Sequence, residues 1–389
     1  MTPFATYAYF GFLLGPAIAA LWRGLRGRLT VNVALAVTVV MLAVQFDLIW
    51  DMDPLVTARQ FWLLLTYALW EGALVKAYLV AKARAMPKWV DRTAVLLSLL
   101  PLLGYKLLPF LGVEGVWGFL GISYLTFRSL DVIFGINDGL IKQVRLRDFW
   151  LYLLFFPTAA SGPVDRFRRF VKDWERPRER AEYLQDLDGA VQRIMRGFLY
   201  KFLLAYLVRV YWMEPAAAGQ GWLAVLSYMY AYSLYLFFDF AGYSAFAVGV
   251  SYLVGVRSPE NFDSPFLARN IRDFWNRWHI SLSTWFRDHV YMRFVMTATR
   301  RKWLADKYAI SYLGFLISMG LMGLWHGLQL HYIVYGLYHA LLIIGFDWLS
   351  RWNKSRKIWG TGRFWQALGV VITLHVVCFG FLIFSGHLF

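Results

Sequence analysis

Long apolar runs separated by short polar connectors dominate this sequence of 389 residues. Clear examples occupy residues 29–50, 61–80, 222–240, 310–325 and 368–384. Only 16% of the residues are charged, whereas a soluble domain carries about 25%. An apolar run of about 20 residues matches the thickness of a bilayer. The sequence therefore predicts an all-α polytopic membrane protein, because a helix satisfies its own backbone hydrogen bonds inside lipid.

Several apolar runs are long enough to cross the membrane, and the spans are expected at residues 3–22, 29–50, 60–81, 93–111, 115–137, 190–212, 222–240, 309–328, 331–349 and 366–386. The first run lacks the basic lead-in and cleavage site of a signal peptide, so we expect it to remain as a span. A glycine-interrupted run at 241–256 leaves open whether it crosses fully. Residues 149–162 are too short to cross and have basic flanks, which favours a re-entrant or in-plane segment buried in protein.

The chain shows no internal repeat, and we expect a single membrane-embedded domain covering residues 1–389. Its expected parts are N-terminal spans at 1–140, a re-entrant segment and a charged cytoplasmic loop at 149–188, spans at 190–256, an in-plane or re-entrant segment at 257–308 and C-terminal spans at 309–389.

The formal net charge of +16 is placed in connectors, which argues against nucleic-acid binding. Lys and Arg concentrate in the short segments 23–28, 82–92, 166–180, 300–302 and 351–357. By the positive-inside rule these connectors face the cytoplasm. The acidic connectors at Asp51, Asp53 and Glu114 would then face outside, and so would the N-terminus.

All seven histidines lie after residue 278, and His326 sits inside the apolar run 317–327. A polar side chain at that depth is expensive unless it is paired or faces water. The residues leave two interpretations open: a polar contact between helices, or a general base beside a narrow channel. Gly323 and Gly327 have the spacing that permits close helix approach.

Residues 271–289 carry apolar side chains at steps of three and four, which predicts one helix with a Trp-rich stripe and a basic polar face. Such a helix lies at the membrane interface or dips into the protein. His279 falls at the edge of the stripe, where it could face a cavity.

Other ionisable residues within apolar runs are Asp47, Glu71, Lys76, Arg128, Asp131, Lys201 and Asp239. Arg128 and Asp131 are three apart, so we expect them to neutralise each other on one helix. Asp239 has no cation nearby in sequence and is expected to pair across helices. The single cysteine, Cys378, is expected to be a packing residue, and no metal site or tightly bound cofactor is indicated.

The sequence resembles the membrane-bound O-acyltransferase (MBOAT) family, and within it the D-alanyl transfer type. The resemblance is carried by residues 121–127, 156–164, 238–244, 273–288 and 324–327, the fourth of these being the most specific. It covers about residues 115–345 and implies a ring of about ten to eleven transmembrane helices around a thin core with short re-entrant helices. Alginate-type O-acetyltransferases differ just after the fourth segment, where residues 290–295 lack their Pro-Leu-Gly-Gly pattern.

The resemblance implies a reaction at the bacterial plasma membrane. A D-alanyl carrier protein would present D-alanine as a thioester on its 4′-phosphopantetheine arm, and a hydroxyl of lipoteichoic acid would accept it. His326 would be the general base and His279 would orient the donor or stabilise the oxyanion. A small accessory subunit with one membrane span and membrane lipid are further expected partners.

Two further sets of residues follow from that reaction. The tunnel for the donor and substrate is expected to be lined by Trp275, Asn276, Trp278, Ser281, Trp285, Trp325 and His339. Because such carriers are acidic, the docking surface is expected at Arg293, Val295, Arg300, Arg301 and Lys302. Competing interpretations are an exopolysaccharide O-acetyltransferase, a transporter or flippase, which should show two similar halves, and a scaffold protein.

Overall fold

A computed structural model of the protein describes residues 2–27, 29–46, 54–113, 118–176 and 178–389. Within these ranges every regular element is helical, and the isolated β-type contact is a bridge between Phe262 and Trp278. Four of the acidic positions discussed above, Asp47, Asp51, Asp53 and Glu114, lie outside the described residues.

The described helices fall into an N-terminal and a C-terminal series. The N-terminal series is α1 Tyr7–Leu25, α2 Val31–Gln45, α3 Pro54–Ala83, α4 Trp89–Leu107, α5 Ile122–Asn137, α6 Leu146–Leu154, α7 Phe156–Ala159, α8 Phe167–Glu175 and α9 Arg180–Gly197. The C-terminal series is α10 Ala205–Val208, α11 Glu214–Ala218, α12 Trp222–Leu253, α13 Ile271–Trp275, α14 Ile280–Phe286, α15 Met292–Arg300, α16 Lys307–His326, α17 Leu330–Arg356 and α18 Arg363–Phe384. Short π-helical turns occupy Phe198–Leu204, Arg209–Met213 and Arg287–Tyr291, and 3-10 turns occupy Leu108–Leu111 and Pro265–Leu267.

Six of the described helices are long and apolar enough to cross a membrane by length and composition. They are α1, the Arg59–Ala83 part of α3, α12, α16, α17 and α18. The all-α polytopic prediction is therefore confirmed. The remaining expected spans fall on helices that are shorter or more polar, such as the 15-residue α2 and the 16-residue α5. The ring of ten to eleven spans stays a prediction.

The run 241–256 is the C-terminal part of α12, which continues through the glycines for 32 residues. Gly242 serves packing here, because a Cβ at this position would lie 2.7 Å from the backbone nitrogen of Lys201. Lys201 also forms an ion pair with Asp239. This pair confirms the prediction that Asp239 is neutralised from another helix.

The described chain divides into two compact units, the first made of residues 1–197 and 243–259. In this unit the predicted pair of Arg128 with Asp131 is wrong. Arg128 donates instead to the carbonyl oxygens of Tyr152 at 3.0 Å and Leu153 at 2.9 Å. The reason is that α6 ends at once after these residues and leaves its last carbonyl groups without helical partners. Asp131 accepts from Arg166 at 2.8 Å.

The segment 149–162 also belongs to the first unit and forms α6, with nine residues, and α7, with four. Neither helix is long enough to cross a bilayer. Most of their side chains are buried, as the interpretation of a re-entrant or in-plane segment requires. Which of these two arrangements applies stays a prediction.

The charged stretch that follows forms α8 and the start of α9. Asp186 anchors this stretch. Its side chain is buried and accepts hydrogen bonds from Arg178 at 2.9 Å and from Arg257 at 2.5 Å. The pair of Asp186 with Arg257 joins the two chain segments of the first unit.

The second unit comprises residues 198–242 and 260–389. Its helices α16 and α17 meet at Gly323 and Gly336. A Cβ at Gly323 would lie 2.4 Å from the carbonyl oxygen of Tyr332, and one at Gly336 would lie 2.4 Å from that of Met319. The close helix approach expected at Gly323 and Gly327 is found at both glycines, because a Cβ at Gly327 would lie 2.4 Å from the ring of Tyr332 in α17, although α16 itself ends at His326. Each unit consists of two separate segments of the chain. The single domain expected over residues 1–389 stays a prediction.

Candidate active site

His279 lies at a break between two short helices, so the prediction of one helix over 271–289 is wrong. Helix α13 ends at Trp275, and α14 begins at Ile280. His279 has φ 43° and ψ 51°, the left-handed conformation that L-residues rarely adopt. The break exists because a neighbouring segment takes the backbone hydrogen bonds. Asp263 donates to the carbonyl of Arg277 at 3.0 Å, and Ile280 donates to that of Asn261 at 2.9 Å.

Two asparagines hold this break in place. Asn270 caps α13 by accepting from the backbone N–H groups of Arg272 at 3.1 Å and Asp273 at 2.9 Å. Asn261 is fully buried, and its Oδ1 accepts from Ser281 Oγ at 2.6 Å. A left-handed residue costs about 1–2 kcal/mol, and such strain is concentrated at functional sites. The surrounding hydrogen bonds therefore fix the position of the imidazole.

His326 is the last residue of α16 and is half-buried. Aromatic rings surround its imidazole. The centroid of Trp325 lies at 4.5 Å, that of Phe384 at 4.9 Å in an edge-on arrangement, and that of Tyr332 at 6.0 Å. The imidazole thus projects from a helix end, where the backbone of the next residue has left the helix.

The two histidines line one cavity of about 60 Å³, which we call the inner cavity. Its other walls are Leu236, Phe240, Trp275, Trp278, Leu282, Met322, Tyr335, Phe381 and Phe384. One water molecule needs roughly 10–15 Å³ of such space, so the inner cavity has room for a small group of atoms. Apart from the two imidazoles, the Tyr335 hydroxyl and the indole N–H groups of Trp275 and Trp278, the lining side chains carry no polar atoms. The imidazoles are therefore the titratable groups that can exchange a proton with a substrate in this cavity.

A second cavity of about 260 Å³, the outer cavity, lies beside the inner one. Its lining is mixed, with the polar and basic side chains of Arg272, Asn276 and Arg287 among aromatic and aliphatic ones. Trp275 and Met322 line both cavities, so the cavities adjoin at these two side chains. The arrangement places a wider cavity of mixed polarity next to a small, more apolar one that is lined by the imidazoles.

His279 is uncharged under ordinary conditions. Burial lowers its pKa to about 3 from the usual 6.5, and the nearby His326 contributes in the same direction. The ring packs edge-on against Phe240 at 4.7 Å. A neutral imidazole has one N–H and one bare nitrogen, so His279 can donate a hydrogen bond without carrying a charge.

The structure brings some of the predicted tunnel residues together. Trp275 and Trp278 line the inner cavity with the histidines, and Asn276 lines the outer cavity. The predicted tunnel residues that line neither cavity are Ser281, Trp285, Trp325 and His339.

His339 is fully buried, and its ring packs against Trp275 and Tyr335 at 5.1 and 4.6 Å. Neither of its ring nitrogens has a hydrogen-bond partner within the described residues. His339 therefore supports the wall of the inner cavity from behind.

The predicted docking residues lie on and just after α15. Arg300, Arg301 and Lys302 are exposed, whereas Arg293 and Val295 are half-buried. Val295 packs against α16, where a Cβ on Gly314 would meet it at 3.0 Å. The exposed part of the predicted surface is therefore its C-terminal, cationic end.

Several wall residues of the inner cavity were not predicted. Phe240 comes from α12, Tyr335 from α17, and Phe381 with Phe384 from α18. Phe381 and Phe384 are three apart and share a helix face, but aromatic pairs with this spacing occur throughout the sequence. Asn261 carried no sequence signal, because its partner Ser281 lies 20 positions later.

Comparison with known proteins gives consistent matches. The sequence model of "MBOAT, membrane-bound O-acyltransferase family" matches residues 135–386. The teichoic acid D-alanyltransferase of Bacillus subtilis (strain 168) is 43% identical, with 100% of this chain and 99% of that protein covered. The enzyme of the same name from Lacticaseibacillus rhamnosus is 40% identical, covering 100% and 98%. A protein of Pseudomonas fluorescens with the name "Probable alginate O-acetylase AlgI" is 32% identical, covering 69% and 51%.

Proposed function

Since the chain belongs to the membrane-bound O-acyltransferase family, we propose that it transfers D-alanine from a carrier-bound thioester to a hydroxyl of lipoteichoic acid. The protein is a multi-pass membrane acyltransferase. The observation that carries the proposal is the inner cavity, where His279 and His326 face the same small volume. Full-length similarity to teichoic acid D-alanyltransferases supports the choice of acyl group and acceptor. Acetyl transfer is less supported, because the alginate-type relative aligns over only half of its length.

The donor is assigned to the outer cavity. A 4′-phosphopantetheine arm is long, flexible and polar, and the outer cavity is wider and more polar than the inner one. The thioester would pass Trp275 and Met322 to reach the imidazoles. The carrier protein itself would dock at the exposed cationic residues Arg300, Arg301 and Lys302, on the cytoplasmic side predicted for the basic connectors.

His326 is the general base in the proposed reaction. It accepts the proton of the acceptor hydroxyl while the oxygen attacks the thioester carbonyl carbon. The C–S bond then breaks, and the departing sulfur takes the proton back from the imidazolium. His279 donates a hydrogen bond to the carbonyl oxygen as negative charge develops there. General base catalysis of this kind contributes about 10²–10⁴-fold.

Reconstitution of the protein in liposomes with D-alanyl carrier protein and lipoteichoic acid tests the assignment. We expect His326→Ala to lower the initial rate of D-alanyl transfer by about 10²–10⁴-fold, with carrier binding unchanged. His375→Ala is the matched control, since this histidine is exposed and lines neither cavity. Wild-type rates in His326→Ala would contradict the base assignment, and transfer of acetyl but not D-alanyl groups by the wild type would favour O-acetylation.

A further inference from the structure

We propose that the aromatic side chains of the inner cavity bind the α-ammonium group of the D-alanyl donor and thereby select an aminoacyl group over a plain acyl group. We call Trp278, Tyr335, Phe381 and Phe384 the ammonium cage. The proposal rests on the proposed function and deepens it, because it names the part of the substrate that the cavity recognises.

The substrate poses an electrostatic problem that an acetyl group would not pose. An α-amino group ordinarily titrates at about pH 8, so the D-alanyl group arrives largely as a cation. To bring its carbonyl carbon beside His326, the enzyme must move this cation out of water. An isolated buried ammonium costs several kcal/mol unless a partner compensates for the lost hydration.

The walls of the inner cavity offer aromatic faces as that partner. Among the described residues that line the cavity, none carries a carboxylate. Asp239, next to the wall residue Phe240, is already paired with Lys201. The face of an aromatic ring carries partial negative charge and attracts a cation, and a Trp ring does so best. An aromatic cage of this kind is a common solution for binding substituted ammonium groups.

The rings are placed to act together. Trp278 and Phe381 have centroids 4.7 Å apart with planes tilted by 45°. Tyr335 and Phe384 have centroids 5.1 Å apart at 65°. Rings this close pack directly against each other, so a cation would lie in the cavity that all four rings line and not between the two members of a pair. Phe384 also packs against His326 at 4.9 Å, so a group held by the cage lies beside the proposed base.

The volume of the cavity agrees with this substrate class. A space of about 60 Å³ suits the few heavy atoms of an alanyl group and is too small for a long fatty chain. The cage therefore accounts for both the size and the charge of the acyl group. An acetyl group would leave the aromatic faces without a cation.

A pair of donors separates charge from shape. The 2-methylpropanoyl thioester of the carrier protein carries a methyl group where the D-alanyl thioester carries its ammonium, and the two are otherwise alike. We would measure kcat/KM for both donors with protein in which Trp278 is replaced by tryptophans bearing one to four fluorine atoms. Fluorine withdraws charge from the ring face and leaves its shape nearly unchanged.

We expect kcat/KM for the D-alanyl donor to fall stepwise with each fluorine, by about 30-fold in all, as a desolvated cation–π contact predicts. The 2-methylpropanoyl donor should show no such trend. Trp285, which is buried but lines neither cavity, is the control position for the same fluorinated residues. In addition, Tyr335→Phe should preserve the preference between the donors, because the ring remains.

Other results would overturn the cage. A parallel decline for both donors would mean that Trp278 only packs the wall, and flat rates for both would mean that it does not meet the ammonium. Loss of donor preference in Tyr335→Phe would assign the amine to the hydroxyl group instead. If the wild type uses both donors equally, the cage fails and the proposed function stands. If the wild type transfers neither donor, the proposed function fails as well.

Discussion

At the scale of single residues, His279 combines three unusual properties. It is 4% exposed, it has a positive φ, and its pKa is about 3. Each of these costs folding free energy, and Asn261 with Ser281 keeps the strained segment in place. Strain that is maintained by surrounding structure is typical of residues whose position matters for function.

The low pKa of His279 predicts that the folded protein loses stability as the pH falls below about 6.5. Between that value and about 3, the unfolded chain binds a proton at this position and the folded chain does not. The free energy of unfolding should therefore be unaffected by His279 above pH 6.5 and decline below it by up to about 1.4 kcal/mol per pH unit. Between pH 7 and pH 5 this amounts to about 2 kcal/mol.

Denaturant unfolding in detergent at pH 5 and pH 7 measures this effect. His279→Asn should reduce the pH-dependent loss by the contribution of His279, and Asn tolerates the left-handed backbone better than most residues. His375→Asn should keep the wild-type dependence, since His375 is exposed. Equal pH dependence in wild type and His279→Asn would show that the imidazole is not buried in a neutral state.

The two histidines of the candidate site could be predicted from sequence because imidazoles within apolar and Trp-rich segments are conspicuous. Of the walls around them, Trp275 and Trp278 were predicted, whereas the residues from distant helices were not. Phe381 and Phe384 resemble every other aromatic residue in an apolar span until the fold brings α18 beside α16 and α17. Asn261 acts through a hydrogen bond to Ser281, and such long-range pairing leaves no local pattern.

At the scale of elements, the break between α13 and α14 shows why periodicity misled the prediction of one helix. The intervening residues 276–279 number four, close to the 3.6 residues of one helical turn. The apolar residues before and after the break therefore fall on one face when the sequence is plotted as a single helix. A pattern of three- and four-residue steps cannot reveal the interruption. The deciding interactions come from the separate segment 261–263.

The contact between α16 and α17 predicts a sharp difference between two glycines of the same helix. Gly323→Ala would place a methyl group 2.4 Å from the carbonyl oxygen of Tyr332, which belongs to rigid backbone. We expect a loss of about 1–3 kcal/mol of unfolding free energy, as overpacking typically costs. Gly320→Ala is the matched control, because a Cβ there meets nothing within 4 Å and Ala favours the helix by about 0.5–1 kcal/mol.

Thermal unfolding in detergent distinguishes the two variants. The Tm of Gly323→Ala should fall by several degrees, and that of Gly320→Ala should stay equal or rise. Equal Tm values for both variants would mean that α16 and α17 are not packed backbone to backbone at Gly323.

At the scale of the whole molecule, hydropathy was enough to predict a polytopic helical protein, because the thickness of the bilayer sets the length of an apolar run. It could not predict how many helices meet the requirements for crossing. The run around 93–111 and that around 190–212 fold as helices, yet neither is among the six helices long and apolar enough to cross. Charged residues and irregular helical turns interrupt these runs. The helix that results depends on contacts with residues far away in the chain, which a window of sequence does not contain.

The clustering of positive charge in connectors leads to a prediction about the carrier protein. Replacing Arg300, Arg301 and Lys302 with Glu should weaken carrier binding by at least tenfold and reduce its dependence on salt, because an acidic partner would be repelled. Carrier titration by fluorescence anisotropy at low and moderate salt measures both effects.

The basic residues Lys354, Arg356 and Lys357 provide a control for this charge reversal. They also lie at the end of a helix, they are exposed, and they include one Lys with positive φ, as the docking residues do. Replacing these three with Glu should leave carrier affinity unchanged. Equal weakening by both triple variants would point to the overall charge of the protein instead of a specific surface.

Trp275 and Met322 stand where the inner and outer cavities adjoin. For a cell, the consequence concerns its membrane potential. In the proposed reaction an acyl group on a flexible arm passes these two side chains, and the same route must not leak protons or sodium ions. Bulky, uncharged side chains at this point would hold back hydrated ions and yield only to the arm.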